Sequence, residues 1–156
     1  MSVYLSTQKV IKDWIDYNDH MNVSYYLLIF DKYGADVLNH KFKMGEQSAK
    51  TTGKSTMIVE TNITYNQELK LNDEVDINLT YFDHDKKRLH YKMEMIEKSS
   101  KKLSATLEML SLYIDLSKRK VSEFENEKVI LMDNFIDLNK LNFKKDDLVI
   151  TGKLKK

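Results

Sequence analysis

The densest chemistry in the chain lies between Trp14 and Asn22, in the run WIDYNDHMN. Asp16, Asn18 and His20 are spaced by two, Asp19 stands just before the histidine, and Asn22 follows. Carboxylate, imidazole and amide groups are thus gathered just ahead of an expected helix start. Such a start presents unpaired N–H groups and the positive end of the helix dipole. Together these can hold a developing oxyanion while a carboxylate activates water. The same residue types also build turns by bonding their own backbone, and Asn22 by itself would cap a helix. On residue types alone both readings stand. His40, His84 and His90 have no acidic cluster at metal-like spacing and read as ordinary surface or strand residues.

The elements that must position this run follow from periodicity. A short first strand is anchored by Val3, Leu5 and Val10. A helix is expected from about Val23 to Asn39, capped by Asn22 or Ser24. Tyr26, Phe30, Tyr33 and Val37 fall at spacings of three and four and give it one buried stripe. Gly34 interrupts that run at a cost of about 1 kcal/mol relative to alanine. It is tolerable where another backbone packs close. Residues 41 to 54 read as a loop or a frayed short helix.

From Ser55 the period becomes two. Met57, Val59, Thr61, Ile63 and Tyr65 share one expected face. Val75, Ile77, Leu79 and Tyr81 form the next strand, and Leu89, Tyr91, Met93 and Met95 the one after. A long last strand spans Leu103 to Leu116, with Leu107, Met109 and Ser111 opposite Glu108 and Leu110. The tail from Val129 to Phe143 reads as a short helix or an extra strand. The order is α+β, and connections this short require antiparallel pairing. One helix cannot cover both faces of such a sheet. The second face is then wet, or a second copy covers it, and a homodimer is the economical expectation, a tetramer the alternative.

The chain has 156 residues with 42% hydrophobic and 31% charged, which suits one soluble domain over residues 1–156. From about residue 126 it reads as a C-terminal extension. Cysteine is absent from the sequence, which excludes disulfides, thiolate metal sites and a cysteine nucleophile. A formal charge of +1 gives no global reason to bind nucleic acid or an anionic membrane. No apolar run approaches the roughly 20 residues that span a bilayer. The opening residues lack the apolar core of a signal peptide, so the expected location is cytoplasmic.

Asp16-x-Asn18-x-His20-Met21-Asn22, followed by Tyr25 and Tyr26 on an aromatic-rich helix, resembles the signature of the hot-dog-fold acyl-CoA thioesterases, the 4-hydroxybenzoyl-CoA thioesterase-like family. The Asp-x-Asn-x-His spacing is also similar to that of plant acyl-carrier-protein thioesterases. The likeness covers about residues 3 to 125. Glu60 to Ile63 (ETNI), Phe82 to His90 (FDHDKKRLH) and Ala105 to Leu110 (ATLEML) further resemble segments of the betainyl-CoA thioesterases of carnitine breakdown.

The resemblance implies a single hot-dog fold, in which a curled antiparallel sheet wraps a long central helix. It implies hydrolysis of a short or medium acyl-CoA at a site shared between subunits. Coenzyme A would be part of the substrate, with no separate cofactor and no metal. Asp16 would be general base or nucleophile, Asn18 would orient water or the carbonyl, and His20 would polarise the network. Asn22 and the amide of Val23 would border the substrate, with Tyr25, Tyr26 and Tyr65. Relatives often carry glycine before the histidine; this chain has Asp19, which either forms the turn or competes for the role of base. A quaternary ammonium acyl group would favour an aromatic cage, for which Tyr17, Tyr25, Tyr26 and Tyr65 are candidates against a plain packing role. Lys86, Lys87 and Arg88 could meet the CoA nucleotide or simply solvate a hairpin. The competing functions are a non-catalytic acyl-CoA-binding protein and a hydroxyacyl-thioester dehydratase. A dehydratase needs an acid and a base flanking the Cα–Cβ bond, and the Asp-x-Asn-x-His cluster does not match that arrangement.

Overall fold

The computed structural model describes residues 2–156. Alternating apolar residues build strands β1 (Val3–Lys9), β2 (Lys54–Tyr65), β3 (Glu74–His84), β4 (Arg88–Glu97) and β5 (Leu103–Asp115), plus the short β6 (Lys120–Val121). They form one antiparallel sheet in the order β1-β3-β4-β5-β2, with β6 on β5. The sheet curls around a central helix, giving the expected α+β hot-dog arrangement. Ile29, Phe30 and Leu38 of the helix meet Ile77, Leu79, Met93 and Leu107 of the sheet in one core.

The central helix differs from the uninterrupted one expected. It consists of α1 (Val23–Phe30), a π-helical turn (Asp31–Ala35) and α2 (Asp36–Lys41). Within the wide turn the Asp36 amide donates to the Asp31 carbonyl, five residues back. Gly34 and Ala35 are buried here, and Ser6 of β1 donates to the Tyr33 carbonyl. Residues 46–52, expected as loop or frayed helix, form α3 (Glu46–Thr52). Gly45 and Gly53 bound it, both with positive φ (117° and 71°).

Strand β2 carries a bulge that breaks the expected alternation. Ile58 pairs with Ser111 and Glu60 with Leu110, leaving Val59 without a partner in the ladder. Ile58, Thr61, Ile63 and Tyr65 therefore share the inner face, while Met57 points the other way. The expected grouping of Met57 and Val59 with Thr61 is thus corrected.

The outer face of the sheet is not left wholly to water or to a second copy: the chain's own C-terminus covers part of it. Helix α4 (Asn126–Asn139) first closes one end of the inner core, Phe135 lying 5.3 Å from Phe42 and 5.7 Å from Phe82 between ring centroids. Residues 143–156 then cross to the outer face as a strap. The Lys144 amide donates to the Thr80 carbonyl (2.9 Å), those of Val149 and Ile150 to Glu108 (2.7 and 2.9 Å), and that of Lys155 to Asp85 (2.8 Å). Glu108 is only 1% exposed. His90 and His84, expected to be ordinary, are both buried and partnered. His90 Nε2 meets Glu108 Oε1 at 2.8 Å, and His84 Nε2 meets Asp133 Oδ1 of α4 at 2.6 Å. Among the described residues no helix is long and apolar enough to cross a membrane.

Candidate active site

The run from Ile15 to Met21 is a tight hairpin closed by an antiparallel bridge between its ends. The Asp19 amide donates to the Asp16 carbonyl (3.0 Å), and the Asp16 amide to the His20 carbonyl (3.1 Å). A turn followed by a left-handed residue is the usual way to close a three-residue loop. That left-handed residue is Asp19, at φ 62°. The conformation accounts for an Asp where a glycine would also fit, since Asp tolerates positive φ better than most residues.

The hairpin turns the Asp16 carboxylate toward the helix start. Its Oδ1 accepts the Asn18 backbone amide at 2.8 Å, and its Oδ2 accepts Asn22 Nδ2 at 2.9 Å. The Asn18 amide, then the Asn22 side chain, hold this carboxyl below the ordinary carboxylate value. Asn18 serves Asp16 through its backbone, while its residue as a whole is exposed. Asn22 caps α1: its Oδ1 accepts the Ser24 amide at 2.9 Å, and its carbonyl accepts that of Tyr25 at 3.0 Å. Neither acceptor takes the amide of Val23, the first residue of the helix.

His20 faces a cavity of about 270 Å³ that it lines with Val23, Tyr26, Tyr65 and Gln67. Its Nδ1 is buried and has no partner among the described residues. The Tyr26 hydroxyl donates to the Gln67 carbonyl (3.2 Å), and its ring meets Tyr65 edge-on at 5.3 Å. Burial pushes the Tyr26 phenol above its usual range.

The candidate residues thus separate into two groups. Asp16, Asn18 and Asn22 form one hydrogen-bonded knot. His20, Val23, Tyr26 and Tyr65 line the neighbouring cavity. Tyr25 joins neither, stacking instead on Trp14 at 5.7 Å, and Tyr17 is 95% exposed. Within one protomer the tyrosines therefore do not converge on a cage. Arg88 is tied to Asp85 (2.9 Å) beneath the β3–β4 turn, so it serves the hairpin.

A second space lay beyond the reach of the sequence pattern. A groove of about 600 Å³ runs along α1 beside β2, lined by Leu27, Leu28, Asp31, Ile58, Thr61 and Met109 among others. The bulge at Val59 decides which side of β2 faces it, and strict alternation hid that.

The family model described as the thioesterase-like superfamily matches residues 10–135. The chain belongs to that superfamily. This thioesterase-like chain is 30% identical over 129 residues to the betainyl-CoA thioesterase of Pseudomonas aeruginosa, covering 81% of this chain and 80% of that protein. It is 32% identical over 108 residues to the L-carnitine dehydrogenase/betainyl-CoA thioesterase of Rhizobium meliloti, covering 69% of this chain but only 21% of that longer protein. Among solved structures, a Staphylococcus aureus protein in complex with CoA superposes with a TM-score of 0.82 at 22% identity, over 99% of this chain and 96% of the other. The DHNA-CoA thioesterase of Staphylococcus aureus superposes with a TM-score of 0.79 at 13% identity, over 92% and 97% of the two chains. These superpositions bear out the hot-dog fold.

Proposed function

We propose that the protein hydrolyses the thioester of a short or medium acyl-CoA to the free acid and CoA, with betainyl-CoA the foremost candidate. The observation that carries this is the Asp16 carboxylate, pinned by two hydrogen bonds beside the helix-start amide of Val23. A thioester carbonyl placed at that amide would receive its support as negative charge grows on oxygen. On the other side Asp16 takes a proton from water, whose oxygen attacks the carbonyl carbon. The C–S bond then breaks, and the proton passes to the departing CoA sulfur. Direct attack by Asp16, with water hydrolysing the resulting anhydride, uses the same placement. His20 borders the cavity next to the reacting group. The choice of betainyl-CoA rests on the Pseudomonas aeruginosa relative, matched over most of its length.

The active unit in this reading is a homodimer. Strand β2 stands at one end of the principal strand order, and edge strands expose unpaired backbone groups. Leu27, Leu28, Ile58, Val59 and Tyr65 around it are exposed. Sedimentation should give a mass that is a multiple of 18.4 kDa, and a fully active monomer overturns this assembly.

CoA thiol release across a panel of acyl-CoAs tests the activity. Release from none of them would leave a binding protein or a dehydratase. D16N should bind substrate yet lose about 10²–10⁴ in turnover, the scale of general-base catalysis. D19N should retain turnover. The reverse result would move the base to Asp19.

A further inference from the structure

The cavity at the helix start has a wall that the proposed hydrolysis does not use. It forms where β2 ends. Tyr65 is the last residue of that strand, and Glu68 follows in the loop toward β3. Both line the cavity of about 270 Å³ together with His20 and Val23. The loop is stitched to the neighbouring elements on either side of Glu68. The Tyr26 hydroxyl donates to the Gln67 carbonyl (3.2 Å), and the Met21 amide donates to the Leu69 carbonyl (2.7 Å). The Asn66 and Gln67 amides both donate to the Ser104 carbonyl of β5 (2.9 and 3.2 Å). The backbone thus fixes Glu68 beside the Asp16 hairpin and the start of α1.

Two kinds of group on this wall favour positive charge. The first is aromatic. The four candidate tyrosines do not converge, but two of them meet here. The rings of Tyr26 and Tyr65 stand at 83° to one another with centroids 5.3 Å apart, and so make a corner. Tyr26 is buried and braces it, while Tyr65 is 50% exposed and offers ring surface to a ligand.

The second is the Glu68 carboxylate. Burial first, with the negative charge of Glu68 adding to it, raises the Tyr26 phenol, so this charge is felt at the corner. Lys70 is its salt-bridge partner, but at 3.9 Å and with both side chains well exposed. Such a pair is worth little. No lysine or arginine among the described residues lines the cavity.

Reach decides what such a wall could select. Val23, whose amide supports the thioester carbonyl in the proposed reaction, lines the same cavity. In a betainyl thioester a single methylene separates the carbonyl carbon from the charged nitrogen. The cation of a substrate bound there therefore belongs in this cavity, not further along the helix. A fully methylated nitrogen has no N–H to donate, so a ring face and a carboxylate suit it.

We propose that Tyr65 and Glu68 determine acyl specificity, selecting a thioester whose acyl group carries a permanent positive charge next to the carbonyl. This rests on the thioesterase reading above for the placement of that carbonyl. It reduces the tyrosine cage expected from the sequence to one braced ring, and adds a carboxylate that the sequence pattern did not single out.

The test compares betainyl-CoA with its tert-butylacetyl isostere, in which carbon replaces nitrogen. The adjacent cation also makes the thioester intrinsically more reactive. The readout is therefore the change in the cationic-to-neutral ratio of kcat/KM between variants, in which that reactivity cancels. E68Q should lower the ratio about three- to tenfold, and rising ionic strength should lower it more steeply in the wild type than in E68Q. Y65L keeps the bulk and loses the ring, and should lower the ratio about three- to thirtyfold; Y65F should restore most of it. A ratio unmoved in E68Q or in Y65L, or a loss in Y65F equal to that in Y65L, overturns the proposal. Binding of the two corresponding thioethers, with the carbonyl replaced by methylene, is followed in parallel by calorimetry. If neither thioester is hydrolysed but the cationic thioether is preferred, and that preference falls in E68Q and Y65L, the hydrolase reading fails and this one stands. Hydrolysis of the thioesters with a thioether preference unmoved by the variants fails this one alone.

Discussion

Asn22 holds Asp16 with the same side chain that caps the central helix: Nδ2 donates to Asp16 Oδ2 and Oδ1 accepts the Ser24 amide, each at 2.9 Å. Helix start and carboxylate are therefore positioned by one residue. The two duties can be separated. Serine caps a helix as well as asparagine does, but it is too short to replace the carboxamide bridge. N22S should keep the cap, unfold in urea only slightly earlier than the wild type through the lost hydrogen bond to Asp16, and lose turnover. N22A should lose turnover and also about 0.5–2 kcal/mol of stability. Full activity in N22S would mean that the Asn18 amide alone holds the carboxylate in place.

The same two hydrogen bonds set a pH dependence. They favour the ionised form of Asp16, and its folded value lies below the ordinary 3.8. Its contribution to folding is thus present above the unfolded value and is lost as pH falls through the folded one. Activity follows the same direction. The acid limb of kcat/KM due to Asp16 should fall below the ordinary carboxylate range, and N22S should move it upward. An acid limb near neutrality, unmoved by N22S, would assign the essential base to another group.

What the sequence disclosed and what it hid divide along local and distant causes. Asp16-x-Asn18-x-His20 was legible because its bonds run within the hairpin, and Asn22 because a cap lies next to what it caps. The strands of β3 to β5 were legible from their alternation. The π turn was not, because the residues against it, Met93 and Ile77, are far away in sequence. Val59 reads as one more apolar residue until the register of β5 makes it a bulge. Glu108 reads as a solvent-facing residue in an alternating strand. Its burial depends on the strap at Val149 and Ile150, a stretch with no periodicity.

Gly34 tests how the sheet grips the helix. The expectation was a close backbone; the neighbours are side chains. A Cβ at Gly34 would stand 2.6 Å from Met93 Sδ and 3.2 Å from Ile77 Cγ2. Met93 and Ile77 are fully buried, so neither can swing aside freely. Overpacking costs about 1–3 kcal/mol, against a helix-propensity gain of about 1 kcal/mol. G34A should therefore be destabilised on balance in denaturant unfolding. Because the clash is with one flexible side chain, G34A and M93A should be less than additive when combined. A stabilised G34A protein would mean that Met93 repacks at no cost.

Glu108 tests the strap. Its carboxylate receives His90 Nε2 at 2.8 Å and the amides of Val149 and Ile150 at 2.7 and 2.9 Å. A buried carboxylate is sustained by such donors, and removing it leaves all of them without an acceptor. E108A should cost several kcal/mol, since each buried donor left without an acceptor costs about 1–3 kcal/mol. E108Q keeps the shape and one acceptor oxygen, so its loss should be smaller, about 1–3 kcal/mol. The strap should loosen before the core does. Limited trypsin digestion should then cut E108Q at Lys144 or Lys145 sooner than the wild type, while circular dichroism still reports a folded sheet. Truncation after Phe143 would remove the amide donors and should make E108Q nearly silent in that background. If E108Q instead loses sheet signal and strap protection together, the strap is part of the cooperative core and not a separable cover.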